Sequence, residues 1–294
     1  MPQPLVRGVI ASLLTPFDAK GEIDWVLLAA HVTAVSRAGV AAVCVGGAGS
    51  ELAGAKPAEF EEVCRVVVSA SEAPVMASIY PDSTREALEL ADAALSGGAH
   101  ALLVCQPHYL FQPGPEGLAG MFSDLRDEVK APLLVSNTVR TALIPLAHLR
   151  QLGANGLVDG ILQGGGDAHL LADLLCMEER PPVYSGIDEL AYLSFLIGCD
   201  GVVSTLAAVF PAEFVALEQA FRSGNHAAAR SMHERLLRVW RTLEHPAEML
   251  VRLKAAATLR GQPAGSARSP YNCSSSETAG LVREILAREQ FLAG

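Results

Sequence analysis

Positive charge is what this chain has least of: 22 lysines and arginines face 32 aspartates and glutamates, and 22 − 32 gives −10 with histidine neutral. Such a surface repels a phosphate backbone, which excludes nucleic acid as a partner. Long apolar runs are missing as well. No stretch reaches the roughly 18 residues that a membrane-crossing helix needs. The apolar segment near the N-terminus is short and is broken at Thr15-Pro16, so it reads as neither signal peptide nor span, and a soluble, cytoplasmic protein is expected. Paired cysteines are absent too: Cys44, Cys64, Cys105, Cys176, Cys199 and Cys273 are far apart, form no CxxC and mostly fall inside apolar runs, as reduced core residues do. Metal-ligand spacing is lacking, since the eight histidines form no HxxxH pattern and Asp167 with His169 reads as a helix start. No nucleotide fingerprint loop follows a strand, so neither metal nor cofactor is expected.

Apolar material is plentiful. Half of the 294 residues are hydrophobic and only 18% are charged, enough for a large core and unlike a disordered chain. The length suits two ordinary domains or a single α/β barrel of about 250 residues. The pattern decides between them. Short β-branched or apolar runs at Val9–Leu14, Ala41–Val45, Val75–Ser78, Ala101–Cys105, Leu133–Ser136, Val158–Leu162, Val183–Ser185 and Val202–Ser204 alternate with amphipathic segments such as Trp25–Arg37, Pro57–Ser69, Ser83–Ser96 and Gly117–Val129. Asp24, Ser83 and Asp167 are placed as helix caps, and Pro57, Pro145 and Pro211 as first-turn prolines. Eight strands, each followed by a helix, close most economically as a (β/α)8 TIM barrel. After about Ser223 the strand pattern stops, and His226–Leu243, Ala247–Leu259 and Ser276–Leu292 read as helices. The expected division is a barrel over 1–223 and a C-terminal helical extension over 224–294.

In such a barrel, ligands meet the C-terminal ends of the strands. The second strand ends in Val45-Gly46-Gly47-Ala48-Gly49, a loop whose backbone amides suit a carboxylate or phosphate, although a plain tight turn has the same composition. The fourth ends in Gln106-Pro107-His108-Tyr109, bringing an imidazole and a phenol or simply an aromatic anchor. Arg140, just past the fifth, is a natural fork for a carboxylate or a solvated surface cation. Cys105 reads as a buried, inert thiol.

Taken in order, Gly8-Val9-Ile10, Leu14-Thr15-Pro16-Phe17, Gly21-Glu22-Ile23-Asp24, the strand 2 loop, Asp82-Ser83-Thr84-Arg85-Glu86-Ala87, Pro107-His108-Tyr109, Asn137 with Arg140-Thr141, Ser185-Gly186 with Asp188-Glu189, Gly198–Ser204 and Lys254-Ala255-Ala256 resemble the dihydrodipicolinate synthase / N-acetylneuraminate lyase family, within the class I pyruvate aldolase superfamily. The resemblance spans essentially the whole chain. It implies a homo-oligomer, dimer or tetramer, and carbon–carbon lyase or aldolase chemistry on 2-oxo acids through a Schiff base to a strand 6 lysine. In this sequence Leu162 stands where the resemblance puts that lysine. Gly47 and Ala48 stand at its hydroxyl pair, and Ser136 at its relay tyrosine. Tyr109 matches a tyrosine lent across the dimer interface, and Arg140 the arginine that receives a substrate carboxylate.

Four lysines exist to replace the missing one: Lys20, Lys56, Lys130 and Lys254. None sits at a strand end facing the barrel axis, and all read as polar and exposed, without a cause for the lowered pKa that imine formation needs. The candidate catalytic residues are therefore Tyr109, His108 and Ser136. Gly47, Ala48, Arg140, Gln163, Gly186 and Val203 are the candidate substrate-binding positions for a small carboxylate. Two readings remain open. One is an enzyme working by noncovalent acid–base chemistry; the other is a non-catalytic sensor or structural subunit that assembles with itself or an active paralogue.

Overall fold

The computed structural model describes residues 6–108, 110–262 and 264–292. Eight strands, β1 (Gly8–Ser12), β2 (Ala42–Val45), β3 (Val75–Ile79), β4 (Ala101–Cys105), β5 (Leu133–Asn137), β6 (Gly160–Gln163), β7 (Val183–Ser185) and β8 (Gly201–Ser204), pair in parallel and in sequence order around a closed barrel. The seam is the β1–β8 pairing, with Gly8 opposite Gly201. Helices α1 (Trp25–Arg37), α2 (Pro57–Ala70), α3 (Thr84–Ser96), α4 (Pro115–Glu128), α5 (Leu146–Ala154), α6 (Ala168–Leu175), α7 (Ala191–Leu196) and α8 (Pro211–Arg222) follow the strands and surround them. This is the TIM barrel that the alternating pattern predicts.

Local chemistry fixes where elements begin. The Asp24, Ser83 and Asp167 side chains accept from the amides of Leu27, Glu86 and Leu170, capping α1, α3 and α6. Pro57, Pro115 and Pro211 occupy first-turn positions where a missing N–H costs nothing, whereas Pro145, expected in a first turn, is the N-cap residue before α5, in extended conformation. Six strands differ from their expected bounds, four by a single residue at one end and two, β1 and β6, by two residues at one end. β1 stops at Ser12, two residues early: Leu13 N–H still bonds the Cys44 carbonyl at 2.8 Å, but Leu14 N–H leaves the sheet for His31 Nε2 at 3.3 Å. β6 starts at Gly160, two residues late, because Asp159 turns beneath the barrel to accept from Leu133 N–H.

Alternation along the strands divides the core in two. Ile10, Met76, Leu103, Leu134, Leu162 and Tyr184 fill the barrel interior, while Val9, Val43, Ala77, Leu102, Val135 and Ile161 face the helices. At the lower rim, side chains cap strand starts. Glu218, Asp159 and Asp200 accept from the amides of Val9, Leu133 and Val183, and each carboxylate is also paired with an arginine, Arg222, Arg126 or Arg180. His100 does the same for Val75 through Nδ1.

Helices α9 (His226–Leu243), α10 (Met249–Leu259) and α11 (Thr278–Arg288) complete the chain. Arg260, just after α10, ties them to the barrel by pairing with Glu213 at 2.7 Å and donating to the carbonyls of Val209 and Phe291. The end of α9 and the start of α10 reach over the upper rim. Of the six cysteines, Cys176, which follows α6, and Cys273, in the turn region before the last helix, are exposed rather than in the core; the other four are buried, and all six are free. Among the described residues, no helix is long and apolar enough to cross a membrane.

Candidate active site at the barrel mouth

Inward-facing residues at the tops of the strands, Ser12, Cys44, Ser78, Leu103, Leu162 and Val203, floor a cavity of about 350 Å³. A second recess of about 460 Å³ shares Gly47, Ala48, Tyr80, Thr138 and Met249 with it and extends under α10. The mouth is thus one continuous two-lobed space.

Of the residues singled out from sequence, Gly47, Ala48, Arg140, Leu162, Gly186 and Val203 line the first lobe, and His108 lines the second. Arg140 stands exposed at the rim, 3.7 Å from Glu244 at the end of α9. Two candidates are not on the wall. Gln163, the next residue after Leu162, points out of the barrel, where its Oε1 accepts from Asn137 and its Nε2 donates to the Gly164 carbonyl. Alternation along β6 sends one of the pair inward and the other outward. Ser136 is buried and shares a 3.2 Å hydrogen bond with the Thr138 hydroxyl. Tyr109 lies outside the described residues.

The expected loss of hydroxyls is only half of the picture. A β-carbon added at Gly47 would lie 2.2 Å from the Ser12 hydroxyl oxygen, so β1 supplies a hydroxyl in the space that a side chain at position 47 would occupy. Gly46 is equally constrained, with φ +81° and the Ser78 carbonyl 2.1 Å from any β-carbon there. Ser78, Tyr80, Thr138 and Thr205 add further hydroxyls to the wall.

Tyr80, the residue after β3, was not a sequence candidate. Burial pushes its phenol up to about 12, partly offset by the hydroxyls of Ser78 and Thr138, and its ring meets His108 edge-on with centroids 6.4 Å apart. Asp188 was missed as well. It opens the 3-10 turn Asp188–Leu190 after β7, and its Oδ1 accepts from the Ser204 hydroxyl of β8 and from Leu206 N–H at 3.4 Å. Burial raises its carboxyl to about 7, with Glu189 adding to the rise and the hydrogen bonds opposing it. A Tyr or Asp one to three residues past a strand end is the signal that would have found both. Trp240 of α9 roofs the cavity, and its buried indole Nε1 has no partner.

No thiol or amine on the wall is primed for attack. Burial pushes the Cys44 thiol up to about 12, so it stays protonated. Among the described residues no lysine lines the cavity. Lys254 corrects the expectation of an exposed side chain: it is buried in α10, 2.6 Å from the Glu51 carboxylate, and donates to the carbonyls of Thr15 and Ser266. Burial lowers its pKa, yet every donor is taken up by an acceptor in the seam between α10 and the β2 loop. Among the described residues no group of three or more His, Cys, Asp or Glu side chains is arranged to hold a metal ion.

Comparison with known proteins fits this architecture. The dihydrodipicolinate synthetase family model matches residues 5–289. The chain belongs to that family. A 4-hydroxy-tetrahydrodipicolinate synthase of Methanopyrus kandleri is 33% identical over 293 residues, covering 96% of both chains. The enzyme of the same name from Methanothrix thermoacetophila is 28% identical over 294 residues, covering 99% of both. Among solved structures, dihydrodipicolinate synthase from Thermotoga maritima superposes with a TM-score of 0.89 at 25% identity, over 98% of this chain and 100% of that one. A prophage protein of the family from E. coli K12, solved with pyruvate, gives 0.91 at 23% identity over 98% and 99%, a likeness of fold.

Proposed function

We propose that the barrel mouth binds a small 2-oxo acid or related carboxylate without forming a Schiff base to it. The observation that carries this reading is the composition of the cavity wall: an arginine at the rim, hydroxyls and glycine-loop amides around it, and Leu162 on β6 with no lysine beside it. Family membership supports the 2-oxo acid class, and Leu162 occupies the position that the family resemblance assigns to the lysine. Leucine has no nitrogen to condense with a carbonyl. Arg140 receives the carboxylate, Gly47 and Ala48 present amides, and Gly186 and Val203 complete the wall. His108 lines the adjoining lobe. Tyr109 and Ser136 are the proposed proton-handling residues, Ser136 reaching the wall through its hydrogen bond with the Thr138 hydroxyl.

We also infer a cytoplasmic homo-oligomer, dimer or tetramer. Leu110 and Phe111 beside the mouth, and Leu193, Leu196 and Ile197 on and after α7, are exposed apolar side chains of the kind that a second copy covers. A second reading, a non-catalytic sensor or structural subunit, is favoured by the apolar floor of Leu103, Leu162 and Val203.

The test is reductive trapping. With pyruvate and borohydride the intact mass of the wild-type protein stays unchanged, whereas Leu162→Lys, which places an amine on the cavity floor, gains one reduced pyruvyl group per chain. An adduct on the wild type overturns the reading and directs peptide mapping to the four lysines.

A further inference from the structure

Two groups on facing walls of the cavity have no part in carboxylate binding. Tyr80 follows β3 and Asp188 follows β7; in the closed order β1 to β8 these strands are four apart, so the two side chains enter the mouth from opposite sides. Their surroundings differ in kind. The phenol is held neutral by burial and is a standing hydrogen-bond donor. Among the described residues the carboxyl has only neutral donors as direct partners, the Ser204 hydroxyl and the backbone amides of Leu206 and Thr205, and no cation pairs with it. Pairs whose environments push their proton affinities apart divide the work of acid and base.

We propose that Asp188 and Tyr80 form an acid–base pair across the cavity that enolises the bound 2-oxo acid. The proposal rests on the pocket reading above. Asp188 takes a proton from the carbon beside the ketone; the C–H electron pair becomes the carbon–carbon double bond, and the carbonyl π pair moves onto oxygen. The Tyr80 O–H donates to that oxygen as its charge grows, which is worth more inside a dry cavity than in water. Return of a proton from Asp188 to carbon reverses the step, so no oxidant or further reactant is needed. Ser204 is a positioning residue here, fixing one carboxylate oxygen from β8.

Other groups packed against the Asp188 turn do not replace it. Glu189 neighbours it on the same turn, and its charge favours the protonated form. The end of β8 and the residues after it offer the hydroxyls of Ser204 and Thr205 and backbone amides. α7 brings Tyr192, whose hydroxyl meets His226 Nδ1 at 3.2 Å, with His233 beside its ring. At the cavity, α9 contributes Trp240 and Glu244, the latter facing Arg140. The partnerless indole N–H of Trp240 is a second sign that this lobe is built around an acceptor-bearing guest.

The experiment follows exchange of the pyruvate methyl protons for deuterium in D2O by NMR, with saturation transfer on the same samples reporting binding. Wild type exchanges the methyl protons faster than a serum albumin control. Asp188→Asn slows exchange at least about 100-fold and Tyr80→Phe about 10-fold, with binding retained. Exchange by the wild type rises with pH through neutrality. Ser204→Ala, which removes a donor to the carboxylate, moves that midpoint upward, and it serves if Asp188→Asn fails to fold. Binding without exchange in the wild type overturns the acid–base pair and leaves the pocket reading intact. Absence of both binding and exchange overturns the pocket reading and the pair with it. Wild-type exchange in Asp188→Asn, or an unmoved midpoint in Ser204→Ala, overturns the assignment to Asp188.

Discussion

The two rims of this barrel use the same side chains differently. At the lower rim, Glu218, Asp159 and Asp200 each satisfy a strand amide and pair with an arginine, so their oxygens are occupied by the fold. At the upper rim, Asp188, Tyr80 and Arg140 stand on a cavity, and Asp188 has neutral donors in place of a cation. Burial without a counter-charge raises the Asp188 carboxyl to about 7 against the pull of its hydrogen bonds, which leaves it a proton to exchange near neutrality. Lys254 sharpens the lesson because it lies at the upper end yet behaves like the lower rim. Its amine is buried and its pKa lowered, as a reactive lysine's would be, but Glu51 and two carbonyls leave it no free donor direction.

The largest expected effect comes from that pair. Glu51→Gln or Lys254→Met strands a buried charge and costs about 3–5 kcal/mol of unfolding free energy, read from urea denaturation. The double replacement Glu51→Leu with Lys254→Met recovers most of the loss. A lysine waiting to react would instead leave stability nearly unchanged on Lys254→Met.

Next in size is a contrast between the rims. Asp200→Ala leaves Val183 N–H and Arg180 without their acceptor and lowers stability by about 2–3 kcal/mol, while 2-oxo acid affinity of the folded fraction is kept. Arg140→Ala does the reverse: stability moves by less than about 0.5 kcal/mol, because an exposed rim pair contributes little, and affinity falls about 10-fold or more. Calorimetry and denaturation on the same preparations separate the two.

The smallest effect is a pair of opposed pH slopes. Burial holds His31 down to about 4, so its contribution is complete above its unfolded value near 6.5 and is lost as pH falls through 4. Asp188 is raised to about 7, so its contribution is complete below about 4 and is lost as pH rises through 7. In urea midpoints measured between pH 4 and 7, where the two slopes oppose each other, Asp188→Asn removes the fall with rising pH and His31→Gln removes the rise.

The barrel was legible because period and caps agreed: Asp24, Ser83 and Asp167 cap where they were placed, and of the three expected first-turn prolines only Pro145 falls one residue outside its helix. The cavity wall was legible at the strand ends themselves, at Gly47, Ala48, Arg140, Leu162, Gly186, Val203 and His108. Tyr80 and Asp188 stayed hidden because their role depends on which strand ends face each other across a closed ring, a relation of residues more than a hundred apart. Gln163 misled for the opposite reason, since a polar residue at a strand end looks inward until the pleat assigns Leu162 that direction. Ser12 was invisible because its hydroxyl enters from another strand the space above Gly47.

The glycine seam bears on how the molecule is made. A β-carbon at Gly201 would come within 2.5 Å of the Gly8 carbonyl, so β1 and β8 meet too closely to tolerate a side chain there. During synthesis β1 emerges before the six strands that separate it in the chain from its final neighbour, β8. Until residue 201 has left the ribosome, the growing sheet carries an unpaired edge on its oldest strand, a template for pairing with another chain. Ring closure therefore ends the period in which nascent copies can stick to one another, and the length of that period is set by the elongation rate across the intervening units.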